Sequence, residues 1–217
     1  MRLGTVRSVP GDHYFSASPA SADERRTMTV TLAGRDVRVH TAPGIFSPAR
    51  IDLGTQVLLR SVPEPPSSGH LLDLGCGWGP LALTMALLSP AATVWAVDVN
   101  RRALDLVRAT ADDLGLPHVR AVTPDQVPDD VRFAAVWSNP PIRVGKDLLH
   151  GMLSTWLPRL APDGAAHLVV QRNLGADSLQ RWIDAELGPR PGEAPGLQAQ
   201  RTASAKGFRV LRVAWVG

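Results

Sequence analysis

The run Leu71-Leu72-Asp73-Leu74-Gly75-Cys76-Gly77-Trp78-Gly79-Pro80 constrains what this chain can fold into more than any other stretch. Its first residues read as a buried strand, and the alternating glycines read as a turn. Glycine there admits dihedrals closed to other residues and lets a ligand approach the backbone. Pro80 suits the first position of a helix, where its missing N–H would be unpaired anyway. A strand, a glycine turn and a helix in that order are how open α/β sheets hold nucleotide-type cofactors. The dinucleotide fingerprint G-x-G-x-x-G fails, because its third glycine would fall on Pro80. The chain offers G-x-G-x-G instead, with Asp73 two residues upstream.

Beyond a Pro- and Ser-rich linker at residues 63–69, strand-like and helical segments alternate. Strands are predicted at 71–74, 93–98, 119–122, 134–138 and 165–170, and helices at 81–88, 101–114, 147–160 and 177–187. This order predicts an α/β, doubly wound, mostly parallel sheet. Residues 198–203 and 208–216, around Lys206-Gly207, predict a final strand pair and one antiparallel edge. Upstream, residues 27–32 and 37–40 flank a turn and predict an N-terminal β-hairpin extension. Residues 50–59 read as a short helix and 12–24 as an irregular arm. The expected division is an arm, hairpin and helix over 1–62, packing on a core over 63–217.

Cys76 is the only cysteine, so neither an intramolecular disulfide nor a cysteine metal cage is expected. It reads as a small packed residue, and the six histidines show no metal spacing. No apolar run reaches the roughly 18 residues that cross a bilayer. The first ten residues also lack the apolar segment of a secretion signal. A cytoplasmic protein with no membrane and no metal partner is the expectation. The formal net charge of +3 is compatible with an anionic partner such as RNA. Lys146 and Lys206 are the only lysines, so the arginine excess also fits GC-rich coding.

Ligands of doubly wound sheets bind outside the carboxyl ends of the strands. Three signals fall on such ends here. The first is the glycine turn. The second is Asp98, 25 residues after Asp73, where a carboxylate can accept ribose hydroxyls or cap the next helix. The third is Asn139-Pro140-Pro141-Ile142. Pro140 drives Asn139 out of the helical region, and two prolines remove two backbone donors. What remains are acceptors: the Asn139 side-chain oxygen and backbone carbonyls. Acceptors that hold the protons of an amide or exocyclic amine favour its pyramidal, nucleophilic form. Read alone, the same segment is a plain loop after a strand.

Taken together, Gly44-Ile45-Phe46-Ser47, Asp52-Leu53-Gly54-Thr55, the turn from Asp73 to Pro80, Asp98-Val99-Asn100 and the run from Asn139 to Lys146 resemble the methyltransferase small-domain family. Its best-known members are ribosomal RNA guanine-N2 methyltransferases of the small subunit. Asp12-His13-Tyr14-Phe15-Ser16 also resembles the start of its single-domain members. The resemblance implies a Rossmann-like class I fold and S-adenosylmethionine (SAM) as cofactor. On it, Asp73, Gly75, Cys76, Gly77 and Gly79 would hold the methionine part. Asp98 and Val99 would hold the ribose, and Asp125 would lie near the adenine amino group. Thr55 and the Phe46 loop would close over cofactor or substrate. Asn139, Pro140, Pro141 and Ile142 would orient the target nitrogen, with Asn139 also touching the cofactor. Apart from the resemblance, Arg143, Lys146 and Arg172 flank predicted strand ends, where they could contact phosphates of a ribosomal RNA or ribosomal subunit partner.

Two departures stand out. Ile142 offers apolar contact where many relatives place a stacking ring. The best-known relatives also carry a second, degenerate domain, so substrate binding here would differ from theirs or rely on the N-terminal hairpin. Other readings remain open at this stage. They are a protein glutamine methyltransferase, since release-factor enzymes share Asn-Pro-Pro, a small-molecule N-methyltransferase, a resistance methyltransferase of ribosomal RNA, and a non-catalytic RNA-binding assembly factor. The intact glycines and Asn-Pro-Pro disfavour the last.

Overall fold

The computed structural model describes residues 25–141, 144–190 and 195–216. Two sheets are present among them. A hairpin pairs β1 (Arg26–Leu32) with β2 (Arg35–Thr41), turning at Ala33 and Gly34, both at positive φ. Helix α1 (Leu53–Ser61) follows. The core then runs β3 (Ser68–Leu74), α2 (Pro80–Leu88), β4 (Ala91–Val97), α3 (Arg101–Asp113), β5 (Val119–Val122) and β6 (Phe133–Ser138). It continues through α4 (Lys146–Trp156), β7 (Leu160–Gln171), α5 (Ala176–Glu186), β8 (Gly196–Ala205) and β9 (Phe208–Val216). The seven core strands lie in the order β5-β4-β3-β6-β7-β9-β8. Pairs from β5 to β7 are parallel, and β9 is antiparallel to both β7 and β8. The terminal pair is thus the antiparallel edge that the sequence predicts, with β9 seated inside β8.

Pleating sends alternate residues to opposite faces. On one face Leu71, Val94, Ala96 and Val169 meet Leu58 of α1, Met85 of α2 and Leu104 of α3. On the other, Leu72, Val97 and Leu168 meet Leu153 of α4 and Ile183 of α5. Trp95, Trp137 and Trp156 are buried, while Trp182 is half-buried and stacks on His150 at 3.9 Å. The hairpin forms an outer layer: Leu32, Val37 and Val39 pack with Trp78, Leu83 and Leu106. Polar clamps hold it there, with His40 Nε2 at 2.8 Å from Asp113 Oδ2 and its backbone N–H donating to Thr110 Oγ1 at 2.9 Å.

Several boundaries differ from the sequence reading: β3 begins at Ser68, inside the predicted 63–69 linker, and α1 begins at Leu53 behind its Asp52 cap rather than at residue 50. Pro158 cannot continue α4, which gives way to a 3-10 turn over Leu157–Arg159. β7 then starts at Leu160, and its pairing with β6 slips beside Gly164, where a Cβ would lie 2.5 Å from the Phe133 carbonyl oxygen. No helix among the described residues is long and apolar enough to cross a membrane.

Candidate methyl-transfer site

The chain builds outward from β3 to β4 and β5, then crosses to place β6 on the other side of β3. The crevice of such a sheet lies where the order reverses, between β3 and β6. Both principal signals leave from that point: the glycine turn from β3 and Asn139 from β6. Ser138 Oγ, fully buried, donates to the Leu74 carbonyl at 2.7 Å and locks the two strand ends together.

Gly75, Gly77 and Gly79 all have positive φ, at 76°, 53° and 87°. Their surroundings separate them. A Cβ on Gly75 or Gly77 would meet nothing within 4 Å, so both face open space. A Cβ on Gly79 would lie 2.8 Å from Val107 Cγ2, so Gly79 packs α2 against α3 instead. Gly79→Ala therefore combines left-handed backbone strain with a core clash. We expect it to destabilise the protein by about 2 kcal/mol or more, measured by urea unfolding. Gly75→Ala meets only the backbone cost, so its loss is the smaller of the two.

Asp98 sits just past β4 and holds the turn from the side. Its Oδ2 accepts the Gly77 N–H at 2.9 Å, and its Oδ1 accepts the Asn100 N–H at 2.9 Å. The cap of α3 is Asn100, not Asp98. Burial raises the Asp98 carboxyl above its ordinary value, against the lowering effect of those N–H donors. Asp73 is 1% exposed, and its Oδ2 accepts the Ala82 N–H at 2.9 Å. Burial pushes its carboxyl up to about 8; the Ala82 bond opposes this and the Asp98 charge adds to it. Burial likewise pushes the Cys76 thiol well above its ordinary value. That fits a packed residue rather than a nucleophile.

One cleft gathers Phe46, Thr55, Asp73, Gly75, Cys76, Gly77 and Asn139 from the predicted set. It adds Ser47, Asp52, Trp78, Pro80 and Leu81. Trp78 is buried and donates its Nε1–H to the Ser47 carbonyl at 3.2 Å, tying the Phe46 loop to the turn. Asn139 donates from Nδ2 to Asp52 Oδ2 at 2.9 Å and to Thr55 Oγ1 at 3.1 Å. Thr55 thus turns its hydroxyl to Asn139. Pro140 is buried and Pro141 half-buried. Val99 is 55% exposed, and Asp125 lies on an exposed 3-10 turn after β5, where the Thr123 side chain lowers its carboxyl. Neither lines the cleft. Lys146 opens α4 and Arg172 follows β7, both exposed at the carboxyl edge. The Arg172 N–H donates to the Gly207 carbonyl at 2.8 Å, which brings the β8–β9 turn and Lys206 beside it. Ile142 and Arg143 lie outside the described residues, as does the arm at 12–24. Among the described residues no cluster of metal-binding side chains occurs.

The donor set fits SAM. The open space over Gly75 and Gly77 can take a ligand against the backbone, and each carboxylate oxygen of Asp98 keeps acceptor capacity for a hydroxyl. The role missing from sequence reasoning is that of Asp52. Its place before Leu53-Gly54-Thr55 marks a helix cap, but its reach to Asn139 spans 87 residues.

Comparison with known proteins agrees with this geometry. YbxB of Bacillus subtilis, of uncharacterised function, is 32% identical over 77% of this chain and 85% of its own. Ribosomal RNA small subunit methyltransferase C of Pseudomonas aeruginosa is 32% identical over 84% of this chain but 52% of its own length. Its counterpart from Aeromonas hydrophila is 36% identical over 64% of this chain and 39% of its own. The chain therefore spans between about two fifths and about half of the length of these methyltransferase C relatives. A solved structure titled as the T. thermophilus 16S rRNA N2 G1207 methyltransferase with AdoMet and guanosine superposes with a TM-score of 0.74. It is 23% identical and covers 90% of this chain and 52% of that one. The methyltransferase small domain profile matches residues 36–189, from the second hairpin strand to the end of α5. The chain belongs to that family and is a SAM-dependent methyltransferase.

Proposed function

We propose that this enzyme methylates an exocyclic base amine, guanine N2 of ribosomal RNA, and that Asn139 presents the amine. The observation that carries the reading is the orientation of the Asn139 amide. Asp52 Oδ2 already accepts two backbone N–H groups, so the group facing it is the NH2 end. The Asn139 oxygen is then the end left for the cleft, beside the open glycine turn. An acceptor there takes an N–H of the target amine, aligns it and favours its pyramidal form. Bound SAM supplies a methyl group already activated on a sulfonium. Alignment and exclusion of water can then provide most of the rate. The backbone of Gly75 and Gly77 would cradle the methionine part, and Asp98 would hold the ribose. Phe46, 42% exposed, lines the cleft and would lie near a bound base.

The names of the methyltransferase C relatives support ribosomal RNA as substrate. Lys146 and Arg172 at the rim suit phosphate contact. Labelled methyl transfer from SAM to 16S rRNA, 30S subunits, 23S rRNA and 50S subunits lacking native marks tests the reading. A single N2-methylguanosine on mass mapping is the expected product. No label in any RNA, with SAM bound, would redirect the search to proteins, tRNA and small amines. Asp98→Ala is expected to weaken SAM affinity about 10-fold or more in calorimetry. Unchanged affinity would remove Asp98 from the cofactor site.

A further inference from the structure

We infer that Asp52 is the positioning residue that fixes the amine-holding oxygen of Asn139. This rests on the reading that Asn139 orients the target nitrogen. Asp52 precedes α1 with extended backbone, ψ 149°, as a cap requires. A single oxygen, Oδ2, collects three residues. It accepts the Gly54 N–H at 2.8 Å, the Thr55 N–H at 3.4 Å and Asn139 Nδ2 at 2.9 Å. The first two bonds fix the carboxylate to the helix start. The third transfers that rigidity to Asn139. Thr55 Oγ1, one turn along, also accepts from Asn139 Nδ2, at 3.1 Å. The NH2 end of the amide is therefore held from the α1 side by two acceptors.

The local packing is built for this approach. A Cβ on Gly54 would lie 3.0 Å from Asp52 Oδ2, 3.0 Å from Phe208 Cε1 and 3.3 Å from Asn139 Nδ2. Glycine lets the first turn of α1 sit directly on Asn139. Pro140 restrains the Asn139 backbone but leaves its side-chain amide free to rotate. An unrestrained amide can flip, exchanging its oxygen for a donor that repels an amine N–H. An acceptor-only partner forbids the flip, because turning the oxygen toward Asp52 would place acceptor against acceptor. Asp52 thus acts through Asn139 and need not touch substrate.

Three variants separate capping, pinning and charge. Asp52→Ser keeps a capping oxygen but is one bond shorter and loses Asn139. Asp52→Ala loses both. Asp52→Asn keeps an acceptor in the place of Oδ2 and puts its NH2 where Oδ1 has no bond among the described residues. The readouts are hydrogen exchange of the Asn139 side-chain amide by NMR, SAM affinity by calorimetry, and kcat on the RNA that accepts the label. Asp52→Ser and Asp52→Ala are expected to speed amide exchange about 10-fold and lower kcat about 10- to 100-fold. SAM affinity should stay within about two-fold. Asp52→Asn should recover most of both losses. Unchanged exchange in Asp52→Ser, or an Asp52→Asn as slow as Asp52→Ala, would overturn the inference. A parallel fall in SAM affinity would make Asp52 a cofactor ligand instead. If no RNA accepts methyl, the functional reading fails, and amide exchange still decides whether Asp52 pins Asn139.

Discussion

Replacing Asn139 with alanine is expected to cut turnover by about 100-fold or more while leaving SAM affinity nearly unchanged. The expectation follows from which part of the site the side chain serves. The turn that faces the cofactor space is fixed by other bonds. The Gly75 and Cys76 N–H groups donate to the Val97 carbonyl at 2.8 and 3.0 Å, and Gly77 leans on Asp98. None of these involves Asn139. Truncation removes the amide that would hold the amine and leaves Asp52 and Thr55 without their Asn139 contact. The cost should appear in kcat at saturating SAM and RNA. Equal losses in kcat and SAM affinity would instead make Asn139 a structural strut of the cleft.

The second large effect is one of pH. The Asp73 carboxyl stands at about 8 in the folded protein because it is buried, against an ordinary value of 3.8. A carboxyl raised on folding contributes stability that is fully present below pH 4 and is lost as pH climbs through about 8. In that interval the folded state holds a proton that the unfolded chain has released. Asp73→Asn cannot ionise, and its amide oxygen can still accept the Ala82 N–H. The variant's stability relative to wild type should therefore rise by about 4 kcal/mol between pH 5 and pH 8.5. Urea unfolding of both ligand-free proteins at the two pH values measures this. A pH-independent gap would mean that Asp73 is ionised in the native state throughout.

Legibility in the sequence followed the range of the interaction. The turn at Gly75 to Gly79 was readable because its backbone needs act on neighbouring residues. Strand and helix order was readable from local apolar periodicity. The terminal hairpin announced itself through Lys206-Gly207. What escaped was made by pairing distant segments. The slip between β6 and β7 needs the Phe133 carbonyl to approach Gly164. The packing task of Gly79 needs Val107, on a different helix. The bonds from Asp98 to Gly77 and from Asp52 to Asn139 cross 21 and 87 residues. No spacing rule reports such contacts, because the intervening chain can be of any length. The family resemblance named most of these residues, but not what each one touches.

The lock between Ser138 and Leu74 joins residues 64 apart, whereas β3, α2 and β4 follow one another directly along the chain. Local units close at small entropic cost, while a long loop must be closed before its contact returns anything. The β3–α2–β4 unit, with its open glycine turn, can therefore organise early in folding. The end of β6 that carries Asn139, the residue proposed to hold the amine, waits for β6 to insert between β3 and β7. On the proposed role of Asn139, competence for transfer is expected to depend on this long-range closure rather than on the local β3–α2–β4 unit alone.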